Sequence, residues 1–377
     1  MRVALVHDWL TGMRGGERVL EALCGMFPGA DVHTLVHVPG ATSPAIESHR
    51  IVASPLSRIP GVARHYRKLL PLFPWAAGRL EIAGYDLVVS TSHAFAKGVR
   101  VPAGTPHVCY CFTPMRYVWD QIDTYLGRGA LRAAAMPLVA ALRRWDRRTS
   151  AADRITRVIA ISETVRERVR RCWGREASVI HPPVDVAGIR PDGAAPDPFF
   201  LLVGAFVPYK RESLVIEAFR GLDAELRVAG DGPLRAALQA EAPANVRFLG
   251  RVPDAELARL YARCRALVYP QVEDFGIVAV EAQAAGRPVV AFGAGGATET
   301  VVGLDDATPA RPATGIFFHA PTPEALRAAI ARFEVEEKRF DPAAIRRHAE
   351  AFSLDRFRTE MGAALDATVA AARTAAG

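Results

Sequence analysis

The chain has 377 residues, of which 50% are hydrophobic and 23% charged, with a net charge of +7 at pH 7. That length exceeds one ordinary core and suits two domains; no low-complexity segment and no repeat of about 20 to 50 residues is present. No apolar run approaches the roughly 18 to 20 residues a membrane-spanning helix needs.

Charge is uneven along the chain. Residues 1–180 hold 25 Lys and Arg against 14 Asp and Glu, whereas residues 181–377 hold 22 against 26. A basic first half suits phosphorylated substrates, anionic lipid or nucleic acid, or is simply an Arg-rich solvated surface. The five cysteines (24, 109, 111, 172 and 264) lack C-x-x-C spacing. The first apolar stretch stops at His7 and Asp8, too short for a signal peptide. A cytosolic, reduced protein is therefore expected.

Residues 3–7 read as a buried strand, followed by Gly12, Gly15 and Gly16 and a helix with Val19, Leu20 and Leu23 on one face. A glycine turn between strand and helix lets backbone amides approach a phosphate, or only makes a tight turn. Its spacing is neither G-x-G-x-x-G nor a P-loop. Residues 56–80 mix Arg58, Arg64, Arg67 and Lys68 with Leu72, Phe73 and Trp75, as a membrane interface or an acceptor loop would. Pro71 and Pro74 break any long helix there. Residues 85–90 and 107–112 read as strands, with His93 and Lys97 on the loop after the first and TPMRYVWD after the second. His33 and His37 lack a carboxylate cluster, which argues against a metal site. Residues 131–148 form a basic helix, 158–161 a strand, and Ser162 an N-cap for a helix over 163–172. The HPPVD that follows residues 178–180 is a stiff linker.

A strand over 199–203 leads into GAFVPYKRES, with Lys210 and Arg211 just before a helix at about Glu212. Paired cations beside helix amides suit a diphosphate. Strands at 225–229 and 246–249 follow, the second ending at Gly250, Arg251 and Val252. Residues 266–269, a helix from about Phe275, and 288–292 form a strand–helix–strand unit whose apolar strands suit a parallel sheet. Glu281 falls on that helix's apolar face with Ile277, Val280 and Ala284, where a carboxylate needs a polar partner. Glu273 and Asp274 stand at a strand's carboxyl end, where open α/β sheets place ligands, or merely offset the helix dipole. Residues 340–352 and 354–372 read as helices.

The E-x7-E pair of Glu273 and Glu281, the following G-x-P-V-V-A and GG-x-x-E (Gly295 to Glu299) resemble the donor-site signature of retaining glycosyltransferases of family 4. The pattern runs from GGERVLEAL through TPMRYVWD, HPPVD, VPYKR and GDGP, and is nearest to a mannosyltransferase-like branch of bacterial surface polysaccharide assembly. The resemblance implies the α/β GT-B fold, two Rossmann-like domains facing each other across a cleft. Its domains would be 1–183 on the acceptor side and 184–353 binding the nucleotide sugar, with a 354–377 helix crossing back. It implies retaining, metal-independent transfer of a hexose, mannose first among candidates, from a nucleoside diphosphate sugar. The acceptor would be a glycan or polyprenyl-diphosphate-linked glycan at the inner membrane face, with no cofactor and no nucleic-acid partner.

By that resemblance Glu273 lies by the hexose, Lys210 and Arg211 hold the diphosphate, and Glu281 accepts from the ribose. Gly15, Gly16, Gly204, Arg251, Val252, Asp274, Phe275, Gly276 and Ile277 complete the nucleotide-sugar site. The family's usual His before Thr-Pro is here Phe112, and its usual Arg is Ala205. His93 is the nearest substitute for the first, and Arg211 for the second. These departures leave other readings open: a homologue that binds nucleotide sugar with weak transfer, a nucleotide-sugar epimerase, or a non-enzymatic basic membrane module.

Overall fold

A computed structural model describes residues 1–123, 127 and 129–376. The chain divides into two compact units, Met1–Pro183 with Phe357–Gly377, and Val184–Arg356. Each is built on one wholly parallel sheet.

The first unit's sheet has strands β1 (Val3–Leu10), β2 (Asp31–His37), β3 (Ile51–Ala53), β4 (Leu87–Ser92), β5 (His107–Cys111), β6 (Arg157–Ala160) and β7 (Ser178–Val179). Their order is β3-β2-β1-β4-β5-β6-β7, so the winding reverses between β1 and β4. β1 runs past the expected end at residue 7 because its polar residues find partners. His7 pairs through Nδ1 with Thr91 Oγ1 at 2.7 Å, and Asp8 accepts backbone N–H groups from the loop after β4. Residues 55–79 form short helical turns around their prolines rather than one helix. Phe73, Ala76 and Ala77 are buried there, while Leu72 and Trp75 are 46% and 49% exposed.

Lys97, on the loop after β4, is buried. Its Nζ donates to Asp146 Oδ1 at 2.5 Å and to the Ala94 carbonyl at 2.8 Å. Asp146 Oδ2 accepts from Trp119 Nε1 at 2.8 Å and Trp173 Nε1 at 2.7 Å. This buried ion pair ties the helices Ala130–Thr149 and Glu163–Trp173 to the loop that carries His93. Trp145 packs onto Gly98 so closely that a Cβ there would lie 2.3 Å from the ring. Ser162 caps the helix Glu163–Trp173, accepting from Val165 N at 3.1 Å.

The second unit's strands are β8 (Phe199–Ala205), β9 (Glu225–Asp231), β10 (Val246–Gly250), β11 (Leu267–Tyr269), β12 (Val289–Phe292) and β13 (Gly315–Phe318). Their order is β10-β9-β8-β11-β12-β13, with the reversal between β8 and β11. Both faces are covered: Phe200 and Leu202 enter one apolar cluster, Phe199 and Leu201 the other. Fully apolar strands are what a doubly covered parallel sheet requires. The helix Ile277–Ala284 starts two residues later than expected, because Gly276 at φ +95° ends the preceding turn. The chain's last helix, Leu354–Ala376, packs with the first unit from Phe357 onward; Phe357 is buried against Tyr110. Among the described residues no helix is long and apolar enough to cross a membrane.

Breaking the buried pair at Asp146 strands Lys97 in the core. Asp146→Ala should destabilise the first unit by about 3–5 kcal/mol. All five tryptophans lie in that unit, so urea unfolding followed by tryptophan fluorescence isolates the effect; an unshifted midpoint contradicts it.

Candidate functional site

Ligands in open α/β sheets bind where the winding reverses, beyond the carboxyl ends of the strands. In the second unit those ends belong to β8 and β11. After β8 the chain makes a tight turn, Pro208–Lys210, and enters the helix Glu212–Phe219. After β11 it makes the loop that carries Glu273. Lys210 Nζ meets Glu273 Oε1 at 2.9 Å, and Tyr269 donates its hydroxyl to Glu273 Oε2 at 2.6 Å. Burial alone would lower the Lys210 ammonium's pKa, but Glu273 outweighs it and holds the group above its ordinary value. Burial, and then Glu273, drive the Tyr269 phenol well above its ordinary range. The result is a charged lysine with a two-armed carboxylate support, only partly covered, its side chain 16% exposed.

Arg211 is placed differently from a simple partner of Lys210. It sits at φ +60°, the one non-glycine residue at positive φ among those described. Such a backbone costs a non-glycine residue on the order of 1 kcal/mol and is worth noting at a site. Its guanidinium lies 4.6 Å from the Phe292 ring centroid, with Nη1 3.4 Å from the Pro270 carbonyl. Gly204, the residue before the last of β8, lies close to the Lys210 side chain: a Cβ there would lie 3.9 Å from Nζ. Ala205 is exposed beside it and brings no charge.

The glycines of the GG-x-x-E motif are packing requirements for the Glu273 loop. Gly296 N donates to the Glu273 carbonyl at 2.8 Å. A Cβ on Gly295 would lie 2.6 Å from that carbonyl, and one on Gly296 2.4 Å from Phe275 Cα. Gly276 is demanded twice, by its φ of +95° and by a would-be Cβ 2.8 Å from the Tyr269 hydroxyl. Phe275 is buried with its ring 5.6 Å from Phe352, while Asp274 and Ile277 are half-buried. Glu281, on the helix Ile277–Ala284, accepts from the buried Tyr261 hydroxyl at 2.8 Å, which supplies the polar partner its position demands. Arg251 and Val252 follow β10, two strands from β8; Arg251 is exposed and Val252 half-buried.

In the first unit the equivalent reversal gathers Asp8 and His93 between β1 and β4. Asp8 is fully buried and accepts from the amides of His93, Ala94, Phe95 and Ala96 at 2.6–3.1 Å. His93 Nδ1 stands 3.0 Å from Asp8 Oδ2, with the imidazole 35% exposed. Burial pushes the Asp8 carboxyl up, but His93's charge and hydrogen bonds overcome it and hold the carboxyl far below the usual range. Asp8 is the residue that sequence reasoning missed; two titratable residues ending an apolar strand, His7 and Asp8, were the available signal. Gly15 and Gly16 begin the helix Gly15–Met26, and a Cβ on Gly16 would lie 3.3 Å from the Phe112 ring. Phe112 itself lies 6.5 Å from His93, centroid to centroid, and presents no polar atom.

Comparison with known proteins identifies the family and the fold. The profile described as "Glycosyltransferase Family 4" matches residues 13–187, and the one described as "Glycosyl transferases group 1" matches residues 190–349. The uncharacterized glycosyltransferase MJ1178 of Methanocaldococcus jannaschii is 32% identical over 39% of this chain and 42% of its own. A GDP-mannose-dependent alpha-mannosyltransferase of Mycolicibacterium smegmatis is 35% identical over 48% of this chain and 46% of its own. These stretches span less than half of either relative's length. The crystal structure of Anabaena Alr3699/HepE in complex with UDP-glucose superimposes with a TM-score of 0.68 at 18% identity, covering 97% of this chain and 100% of that one. The chain belongs to glycosyltransferase family 4 and has the GT-B fold.

Proposed function

We propose that the chain transfers a hexose, with mannose the first candidate, from a nucleoside diphosphate sugar to a glycan or polyprenyl-diphosphate-linked acceptor, with retention at the anomeric carbon. The observation that carries this is the supported lysine: Lys210 held by Glu273, which Tyr269 fixes in turn, at the reversal of the second sheet. A fixed, partly covered cation there stabilises the charge that grows on a departing diphosphate, a role worth roughly 10²–10³ in rate. That positive charge comes from the protein rather than from a metal ion. Two names among the relatives support the donor class: the Mycolicibacterium enzyme is GDP-mannose-dependent, and the Anabaena protein was crystallised with UDP-glucose.

Each neighbouring group has a definite task in this proposal. Glu273 orients Lys210 and offers its carboxylate to hexose hydroxyls. Glu281 accepts from the ribose, and the Phe275 and Gly276 amides face the phosphates. Arg211, stacked on Phe292, adds positive field without being Lys210's equivalent. The leaving phosphate takes the acceptor's proton, so no protein nucleophile is required. His93, oriented by Asp8, lies 6.5 Å from the apolar Phe112, centroid to centroid, and serves the acceptor. Phe112 and Ala205 also favour a second reading, a chain that binds nucleotide sugar and turns it over slowly.

The first unit's positive surface supports an anionic membrane as a partner. A cavity of about 420 Å³ is lined by Arg100, Arg144, Arg148 and Arg154 with Trp145. None of these arginines pairs with a carboxylate among the described residues.

Three outcomes follow. Lys210→Ala should lower kcat for hexose transfer from GDP-mannose by roughly two orders of magnitude; an unchanged rate places the diphosphate elsewhere, and binding without turnover in the unaltered chain selects the slow homologue. Glu281→Ala strands the Tyr261 hydroxyl and the ribose donors. Calorimetry with GDP-mannose should find binding weaker by about 1–3 kcal/mol, and equal affinity removes Glu281 from the site. Replacing Arg144 and Arg148 by Gln should weaken co-sedimentation with phosphatidylglycerol vesicles by roughly thirty-fold, at about 1 kcal/mol per charge. Indifference to both changes rejects this surface.

A further inference from the structure

Glu212 opens the helix Glu212–Phe219, yet the residue is only 2% exposed. Neither carboxylate oxygen has a hydrogen-bonding partner. Oε1 shares the space above Gly204 with Lys210: a Cβ on that glycine would lie 3.7 Å from Oε1 and 3.9 Å from Lys210 Nζ. Lys210 is already engaged by Glu273, so Glu212 is the second, unsatisfied carboxyl of the same cluster. A buried carboxylate without a partner favours its neutral form. Burial pushes the Glu212 carboxyl up to about 7, the nearby amides of Glu212 and Val207 and the charge of Lys210 opposing, Glu273 reinforcing.

The other charged groups on the packed elements are engaged elsewhere. Arg211 is turned to Phe292 and the Pro270 carbonyl. Arg327, from the helix Pro323–Glu336, donates to the carbonyls of Glu217 and Ala218. Arg235, from the helix Arg235–Glu241, faces Asp231.

We propose that Glu212 binds the donor in its protonated form, its carboxyl O–H donating a hydrogen bond to a diphosphate oxygen beside Lys210. An ionised Glu212 would repel a diphosphate; a neutral one has a single O–H and lacks an acceptor, which a phosphate oxygen supplies. The proton comes from solvent as the donor binds, so binding is coupled to uptake of up to one proton. This rests on the reading that Lys210 holds the diphosphate.

The test is calorimetry with GDP-mannose, whose diphosphate diester does not titrate near neutrality, in two buffers of different ionisation enthalpy. For one linked group with a free pKa of about 7, affinity should fall roughly fifteen-fold from about pH 7 to about pH 8.5, with proton uptake evident from the buffer dependence. Glu212→Gln, which keeps an N–H donor, should bind with a flat profile and no uptake, and more tightly than the unaltered chain at the higher pH. A merely structural Glu212 would instead give weaker binding at every pH with the slope retained, which overturns the proposal. So does a flat profile in the unaltered chain, a measurement that does not depend on the variant folding. Absence of affinity for GDP-mannose and UDP-glucose at every pH defeats the donor-site reading and this one together; binding with a flat profile defeats this one alone.

Discussion

Everything proposed for the second unit depends on the contact between Lys210 and Glu273, at 2.9 Å. Neither residue could reach the other along the chain. β8 and β11 lie side by side only because the winding reverses between them, so the segments leaving their carboxyl ends meet. The sheet thus converts strand order into a bonded pair. Tyr269, the last residue of β11, then fixes the carboxylate from below through its hydroxyl. A buried phenol beside a carboxylate remains a donor at any ordinary pH, because burial and that charge both oppose its ionisation.

The loop carrying Glu273 has almost no freedom. Gly276 must be glycine for its backbone and for the Tyr269 hydroxyl, and Gly295 and Gly296 must be glycine because the loop's backbone rests on them. The EDFG and GG segments therefore specify one surface from two sides. This gives the motif a mechanical meaning: the glycines hold the aim of a carboxylate to within a hydrogen bond's tolerance. Arg211 shows the complementary case, since it accepts a left-handed backbone that a glycine would adopt freely. The strain is consistent with a site, where such conformations concentrate.

What the sequence disclosed was mostly local. Apolar runs marked β1, β4, β5 and β6 of the first sheet and β8 to β12 of the second, Ser162 marked a helix start, and the spacing of Glu273 and Glu281 with the later glycines marked the loop. What stayed hidden was pairing between segments far apart. Lys97 has the sequence of an exposed loop residue; its partner Asp146 lies in an Arg-rich helix that looks solvated throughout, and two tryptophan N–H groups complete the pair from elsewhere. Asp8 was hidden for the same reason, since its ligands are four successive amides beyond another strand. Strand β13 and the helix Pro323–Glu336 escaped notice because a four-residue strand between turns leaves too short a pattern to read.

Asp8 and Glu212 together show why buried carboxyls at such reversals take opposite roles. Both are almost wholly removed from water, so burial penalises the charge of each. Asp8 faces four backbone N–H groups and an imidazole, enough to hold it ionised, and its product is an oriented His93. Glu212 faces a lysine already taken by another glutamate and amides too few to compensate, so it is pushed toward the neutral acid. The difference lies in donors rather than depth. A carboxylate fixed by donors positions its neighbour, whereas a carboxyl deprived of them can itself donate. A ligand rich in acceptor oxygens is what the second situation leaves room for, and the cation beside it gives that ligand its sign.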